Sequence, residues 1–347
     1  MTTESTPNTQ WLFPISALSC TPTSQERSLH EEMYDRSRGI EFLYRLGTSI
    51  GLHSPGLFTA ATWFHRFFMR YSMLDYHRQT IAAACVFLAT KTEECGRKLR
   101  DVARVCQSKA KGIDVREIPE SGPEIDEVSS QILAAEEVLL EALCFDFVVD
   151  SPHADLVDLF DAHDVAYRVQ DYAWSIAHDS YRTPLCVLYP PKIIATACYI
   201  LAQRIVDGPH SLSLDARVSP SAPSSSLPTP PTHKPSSPDA SRFAIEFFGL
   251  KEGEVLSVAD ALAILLNFYE YQAALGLASY LDPITDVQPP TVASYQMRLY
   301  PSSADPAEIG TTATQPILQN STPLSTHGGS RTPAQTSLAE EVLEKTE

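Results

Sequence analysis

Apolar residues recur at intervals of three and four along much of this chain. The apolar positions between Ile40 and Ile50 fall on one face of a helix, and this spacing is typical of an amphipathic helix. Ser54 followed by Pro55 is a typical helix start. The pattern predicts helices over residues 29–50, 54–71, 75–94, 99–111 and 124–143, and again over 152–162, 165–181, 190–206 and 254–273.

One of these helices has no polar face. The segment Ile81–Ala89 reads IAAACVFLA, and a helix that is apolar all the way round must be surrounded by other helices. The segment Ile194–Ala202 repeats it at an offset of 113 residues, with six of nine positions identical. Self-similarity at this long spacing predicts two copies of one helical domain. The fold class predicted from the sequence is therefore all-α, with two tandem five-helix domains.

Composition sets the domain boundaries. Residues 1–30 form an arm rich in Ser, Thr and Pro, and its apolar group, Trp11-Leu12-Phe13, is expected to pack on the chain's own domain. Residues 31–150 and 151–281 are the two predicted domains. A Pro/Ser-rich stretch from about 208 to 241 interrupts the second, and residues 282–347 form a polar tail. Both segments have the composition of disordered chain.

The charge balance argues against nucleic acid as a direct partner. The chain has 26 Lys and Arg against 43 Asp and Glu, a net charge of −17, whereas nucleic-acid-binding surfaces cluster basic residues. A basic or neutral protein partner fits better. Apolar runs stay short of the about 18 residues that a membrane span needs, so no membrane contact is expected.

Candidate chemistry is sparse. The seven cysteines include no CxxC and the ten histidines are scattered, so neither a metal site nor a disulfide framework is indicated. Nucleotide-loop and HExxH motifs are absent, and the GxSxG match at residues 47–51 falls at the end of a predicted helix rather than on the strand-to-helix turn that a nucleophile needs, which argues against an enzyme and gives no sign of a cofactor. An all-α enzyme using Asp161, His163 and His178 is a rival reading, but no motif fixes their geometry.

Several segments resemble the cyclin family. The segment ACVFLATKTEE, residues 84–94, resembles the signature of the first cyclin box, and QILAAEEVLLEALCFDF, residues 131–147, resembles its fifth helix. FHRFF, residues 64–68, resembles an element of its second helix. The arm segment QWLFPISALSCTPTSQE resembles the N-terminal segment of transcriptional cyclins of the K and T types. The second domain resembles the beta subunit of the fungal C-terminal-domain (CTD) kinase, which acts on RNA polymerase II.

The resemblance implies a function and a set of site residues. It implies a non-catalytic subunit that activates a cyclin-dependent kinase in the nucleus and supports transcription elongation. The kinase's substrate would be the C-terminal domain (CTD) of RNA polymerase II, with a third subunit as a further partner. Carried over by motif, the kinase-binding residues are Lys91, Glu136, Glu94, Phe87 and Phe145.

Plainer readings of these residues stay open. Lys91 and Glu94 also fit an ordinary solvated helix end, and Phe87 and Phe145 also fit a core. Two glutamates at the end of the apolar helix oppose the helix dipole by about a few tenths of a kcal/mol each, which favours a use outside the fold.

Two other families are the alternatives. A general transcription factor of the IIB type shares the duplicated fold, but it should carry a basic face and a zinc ribbon, which the charge and cysteine pattern disfavour. Within the cyclins, the C and L types are alternatives. Cell-cycle cyclins carry a docking groove, but Asp35, Gly39 and Phe42 replace its Met, Leu and Trp here, so we expect the groove to be missing.

Overall fold

The computed structural model describes residues 9–218, 240–275, 284, 286–294 and 298–301. Within these residues the regular structure is helical and no strand occurs, which confirms the all-α prediction. The arm contains short 3-10 helices at Thr9–Trp11, Ile15–Cys20 and Thr23–Gln25. The α-helices are α1 (Leu29–Ser49), α2 (Ser54–Phe68), α3 (Arg78–Thr92), α4 (Leu99–Lys111), α5 (Pro123–Ala142), α6 (Pro152–Ala162), α7 (Tyr167–Ser180), α8 (Pro191–Asp207), α9 (Leu214–Val218), α10 (Ala240–Phe247) and α11 (Glu252–Ala274).

Local sequence signals set the helix ends. Ser28 begins α1 through a capping box in which its hydroxyl accepts from Glu31 N–H and the Glu31 carboxylate accepts from Ser28 N–H, so two otherwise unpaired donors are satisfied. Gly112 ends α4 with a φ of 69°, a conformation that glycine adopts without strain. At α2 the structure differs from the sequence interpretation, because Ser54 is the first helical residue and His53 is the N-cap.

Helix α3 is the centre of the first bundle. Its residues from Ile81 to Thr90 are all buried, and α1, α2, α4 and α5 pack around it. This confirms that the apolar segment is surrounded by helices. The small side chains of Ala82, Ala83 and Ala84 let the neighbouring helix axes approach closely.

Helix α8, the second copy of the apolar segment, is the centre of another bundle. It packs against α6, α7, α10 and α11, and its residues from Ile193 to Gln203 are buried. Each central helix thus contributes to its own buried apolar cluster.

The second bundle uses residues that the sequence interpretation placed in disordered segments. Helix α9 lies inside the stretch 208–241, and its Arg217 is buried and binds Asp207 with an N–O distance of 2.7 Å. Leu299 and Tyr300, predicted to lie in the tail, are fully buried in the same core. Each of these stretches holds only a few apolar residues within polar sequence, too few to establish a helical period. The remainder of the two segments, residues 219–239 and most of 282–347, lies outside the described residues.

The arm packs on the folded chain, as predicted. Trp11 is buried, and Phe13 N–H donates to Val187 O at 2.8 Å. The arm therefore contacts both halves of the molecule, because Val187 belongs to the segment between α7 and α8 and Trp11 Nε1 donates to Asp146 Oδ2, just after α5, at 2.8 Å.

The structure shows no open groove at the three positions that differ from the docking groove of cell-cycle cyclins, because each is occupied by ion pairs or by close packing. Asp35 accepts from Arg27 and from Arg78, each at 2.8 Å. A Cβ at Gly39 would lie 2.2 Å from Phe64 Cζ, and Phe42 is buried. No side chain at these positions is therefore available to line an open groove.

Buried histidines lie where the two bundles meet. His65 Nε2 lies 2.8 Å from Tyr181 O, to which it donates, and burial followed by the nearby Arg36 lowers its pKa to about 3. His153 Nε2 lies 3.0 Å from His178 Nδ1. Burial, and secondarily His178, lowers the pKa of His153 to about 3. Both imidazoles are therefore neutral in the folded chain at neutral pH.

We expect mild acid to weaken the fold through these histidines. Because the folded-state pKa lies below the ordinary value of 6.5, the stabilisation is complete above pH 6.5 and is lost as pH falls toward 3. Each histidine should remove about 1 kcal/mol of unfolding free energy between pH 6.5 and 5.5. Burial raises the pKa of Asp155 to about 6, which acts in the opposite sense, so variants must be compared.

The measurement is urea unfolding of the wild type and of His65→Gln at several pH values. The advantage of the wild type over His65→Gln should shrink by about 1 kcal/mol between pH 6.5 and 5.5. His210, which is exposed, provides the control, and His210→Gln should follow the wild-type curve. A constant difference between wild type and His65→Gln would contradict the assignment.

Candidate functional site

Lys91 and Glu136 meet at the junction of α3 and α5. Lys91 Nζ lies 2.7 Å from Glu136 Oε1 and 2.8 Å from Oε2. The Lys91 side chain is 48% exposed, whereas the Glu136 side chain is 9% exposed. The lysine thus covers the carboxylate and presents its ammonium to solvent. An ammonium has three donors, so one remains for an outside acceptor after the two bonds to Glu136.

The ring of Phe87 contacts the ammonium of Lys91. Phe87 lies one turn earlier on α3, its ring centroid is 4.2 Å from Lys91 Nζ, and it is 6% exposed. A cation over an aromatic face is attracted by about 0.5–2 kcal/mol. The sequence left two readings of Phe87 open, an aromatic anchor facing the partner or a core residue. The structure buries Phe87, and its ring contacts the Lys91 ammonium.

Phe145 has the opposite placement. It is 63% exposed, which excludes the core reading for this residue. Phe145 and Cys144 follow the end of α5 with φ angles of 57° and 52°. Residues other than glycine pay about 1–2 kcal/mol each in this region, and such strain concentrates at functional sites. The exposed position of the Phe145 ring is therefore accompanied by a cost in backbone conformational energy.

Glu94 lies in the turn that ends α3. Its φ is 53°, its side chain is exposed, and its N–H donates to Lys91 O at 3.3 Å. The structure thus brings Glu94 next to Lys91 in the same turn.

Two exposed apolar residues, one on α5 and one in the segment after it, were missed by the sequence analysis. Leu133 is 48% exposed and Val148 is 64% exposed. Leu133 precedes Glu136 by three residues and so shares its side of α5, while Val148 follows Phe145. The sequence did indicate that Leu133 is exposed, because this residue falls outside the stripe of buried positions that Ile125, Ile132 and Leu139 define. We call Lys91, Glu136, Leu133, Phe145 and Val148 the α5 surface.

The other candidate chemistry is structural. His163 packs on the ring of Phe243 with centroids 4.6 Å apart, and His178 is bound to His153, so neither belongs to a reactive group with Asp161. Among the described residues, no cluster of three metal-binding side chains is found. None of the helices that the structure describes is both long and apolar enough to cross a bilayer.

Comparison with known proteins assigns the first bundle. The family model for the cyclin N-terminal domain matches residues 15–148. Residues 15–148 form a cyclin N-terminal domain. Cyclin pch1 of Schizosaccharomyces pombe is 39% identical over 197 residues, which are 56% of this chain and 57% of that protein. Cyclin-K of Danio rerio is 29% identical over 199 residues, 56% of this chain and 45% of that protein.

These relatives confirm the resemblance to transcriptional cyclins, although the match spans only about half the length of each relative. One solved structure extends the likeness in fold beyond the first cyclin domain. It is described as the crystal structure of the yeast RNA Pol II CTD kinase CTDK-1 complex. The TM-score is 0.55 at 16% identity, covering 88% of this chain and 83% of that one. At this identity the likeness concerns the fold alone.

Proposed function

We propose that this chain is the regulatory subunit of a cyclin-dependent kinase and that it binds the kinase through the α5 surface. The observation that carries the proposal is the Lys91–Glu136 pair, held at the surface of a cyclin domain with 2.7 Å and 2.8 Å contacts. These are two of the five residues that the cyclin resemblance assigns to kinase binding. Glu94 and Phe145 complete the proposed contact, and Phe87 supports it from the core.

The physical chemistry of the pair suits recognition of another protein. Hydrogen bonds to charged groups contribute about 1.5–3 kcal/mol each. Because Glu136 and Phe87 already fix the Lys91 side chain, that side chain loses less conformational entropy when a partner binds. Leu133, Phe145 and Val148 are exposed apolar residues that binding of a partner would bury. Stable interfaces need such a desolvated apolar part in addition to charged contacts.

The proposed mechanism is a shift in the kinase's conformational equilibrium. A kinase is active only when its regulatory helix brings a glutamate to the strand lysine. A chain that binds this arrangement more tightly than the inactive one raises its population by the ratio of the two affinities. In this proposal the chain performs no chemistry itself and needs no cofactor.

The proposed substrate of the complex is the C-terminal domain of RNA polymerase II, and the proposed site of action is the nucleus. Support comes from the Cyclin-K relative and from the sequence resemblance to transcriptional cyclins. A third subunit is a further proposed partner.

The test is to purify the tagged full chain from its own cells and to identify what accompanies it. A cyclin-dependent kinase should be recovered in stoichiometric amount. Added back to that kinase, the chain should raise phosphorylation of a heptad-repeat peptide by at least about 100-fold, the range expected for a two-state shift. Recovery without a kinase, or a kinase equally active alone, would refute the proposal, and retention on duplex DNA at moderate salt would favour the IIB-type alternative.

A further inference from the structure

We propose that Trp11, in the N-terminal arm, is a positioning residue for the part of the α5 surface formed by Phe145 and Val148. The inference rests on the proposed function, because it concerns how that surface is held ready for the kinase. Trp11 lies before the segment matched as a cyclin domain, and its side chain is buried in the chain's own fold.

The arm is bonded directly to the exposed turn. Trp11 Nε1 donates to Asp146 Oδ2 at 2.8 Å, and Gln10 Nε2 donates to the same oxygen. The other carboxylate oxygen of Asp146 accepts from Val148 N–H at 3.2 Å. The Asp146 side chain thus links the indole to the backbone of a surface residue.

Arg66 joins the same group from the rigid helix α2. Its guanidinium carbon lies 4.9 Å from the centroid of the Trp11 ring. Both terminal nitrogens donate to Val148 O at 3.2 Å, and one donates to Asp146 O at 3.5 Å. Arg66 is buried, so the indole that covers it also keeps water from these bonds.

The turn that these contacts hold does not adopt a relaxed conformation. Cys144 and Phe145 are consecutive left-handed residues, and such geometry persists only where surrounding contacts impose it. Phe147 supports one side, with its ring centroid 5.8 Å from that of Trp63. Trp11, Arg66 and Asp146 support the other side. Removal of the indole should therefore let the turn relax and move Phe145 and Val148 from their displayed positions.

The experiment compares Trp11→Ala and Trp11→Phe in the full chain. Amide hydrogen exchange reports local opening. In Trp11→Ala the amides of residues 145–148 should exchange at least about 10-fold faster, while those of α8 stay at wild-type rates. Affinity for the kinase that co-purifies with the wild type should fall about 10-fold, the loss expected of one interface anchor. Trp11→Phe keeps the ring over Arg66 and should lose less. Tyr167→Ala, at an exposed aromatic residue on α7, is the control and should bind normally.

A double-mutant cycle separates positioning from general weakening. If Trp11 acts through the turn, Trp11→Ala should cause little further loss of kinase affinity in a chain that already carries Phe145→Ala and Val148→Ala. Independent, multiplying losses would overturn the inference. Wild-type kinase affinity in Trp11→Ala would also overturn it, provided that charge reversal at Lys91 and Glu136 still abolishes binding. If neither change affects binding, the proposed function itself fails.

Discussion

Exchanging Lys91 and Glu136 is expected to leave the chain folded and to abolish kinase binding. The double variant Lys91→Glu/Glu136→Lys keeps one cation and one anion at the two positions that now form the pair. It reverses the charge that the surface presents, because the half-exposed position becomes an anion. Reversed charge at a desolvated contact costs about 2–5 kcal/mol, so affinity should fall at least about 30-fold.

Single reversals are less informative. Glu136→Lys would place a second ammonium beside Lys91 in a largely buried position, so we expect a stability loss on the order of 2 kcal/mol in addition to lost binding. Thermal unfolding of both singles and the double variant should show that the exchange restores most of the stability.

A matched control lies on the same bundle. Lys111 Nζ is 2.8 Å from Glu124 Oε2, and the lysine side chain is 48% exposed, as that of Lys91 is. The exchange Lys111→Glu/Glu124→Lys should leave kinase affinity within about 2-fold of wild type, because surface pairs contribute about 0–1 kcal/mol. Wild-type affinity in the Lys91/Glu136 exchange would show that this pair is not a recognition element.

Arg36→Met is expected to cost about 3–5 kcal/mol of unfolding free energy. Arg36 and Glu32 are both fully buried, and Arg36 Nη2 lies 2.7 Å from Glu32 Oε1. The same nitrogen donates to Phe68 O at 2.7 Å, and Thr21 Oγ1 donates to the other Glu32 oxygen. Removal of the guanidinium leaves a buried carboxylate without its counter-charge and a buried carbonyl without its donor.

Chemical denaturation of Arg36→Met against Arg38→Met measures this cost. Arg38 pairs with Glu41 at the surface, so its loss should change the unfolding free energy by less than about 1 kcal/mol. The double variant Glu32→Leu/Arg36→Met removes both charges and should be more stable than Arg36→Met alone. A loss in Arg36→Met as small as that in Arg38→Met would contradict the account of the buried pair.

The helices were readable from the sequence because their signals are local. The bounds of α4 and α6 match the prediction at both ends. The two apolar helices α3 and α8 were recognised because no other environment suits a helix without a polar face. Residues 208–218 and 298–301 were placed in disordered segments because their few apolar residues lie in polar sequence. The buried ones among them make contacts with parts of the chain that are distant in sequence, and local patterns do not show such contacts.

The sequence identified the individual candidate residues of the site but not how they are arranged in space. Family motifs singled out Lys91 and Glu136, but they are 45 positions apart, and only the packing of α3 on α5 makes them a pair. The same limit applies to Phe87 and Phe145. Both are aromatic and follow apolar sequence. Phe87 is buried because other helices pack around α3, whereas the exposure of Phe145 accompanies a left-handed turn for which no glycine gives a signal.

The central helices share a sequence but end differently. At the offset of 113 residues, Lys91 of α3 corresponds to Arg204 of α8. Arg204 turns back on its own chain, where it donates to Gly208 O and, at 3.3 Å, to Pro209 O. The same apolar helix thus ends at the proposed recognition cation in the first half and at a loop anchor in the second. Substitution of Arg204 should therefore loosen the loop after α8 and leave the surface around Lys91 unchanged.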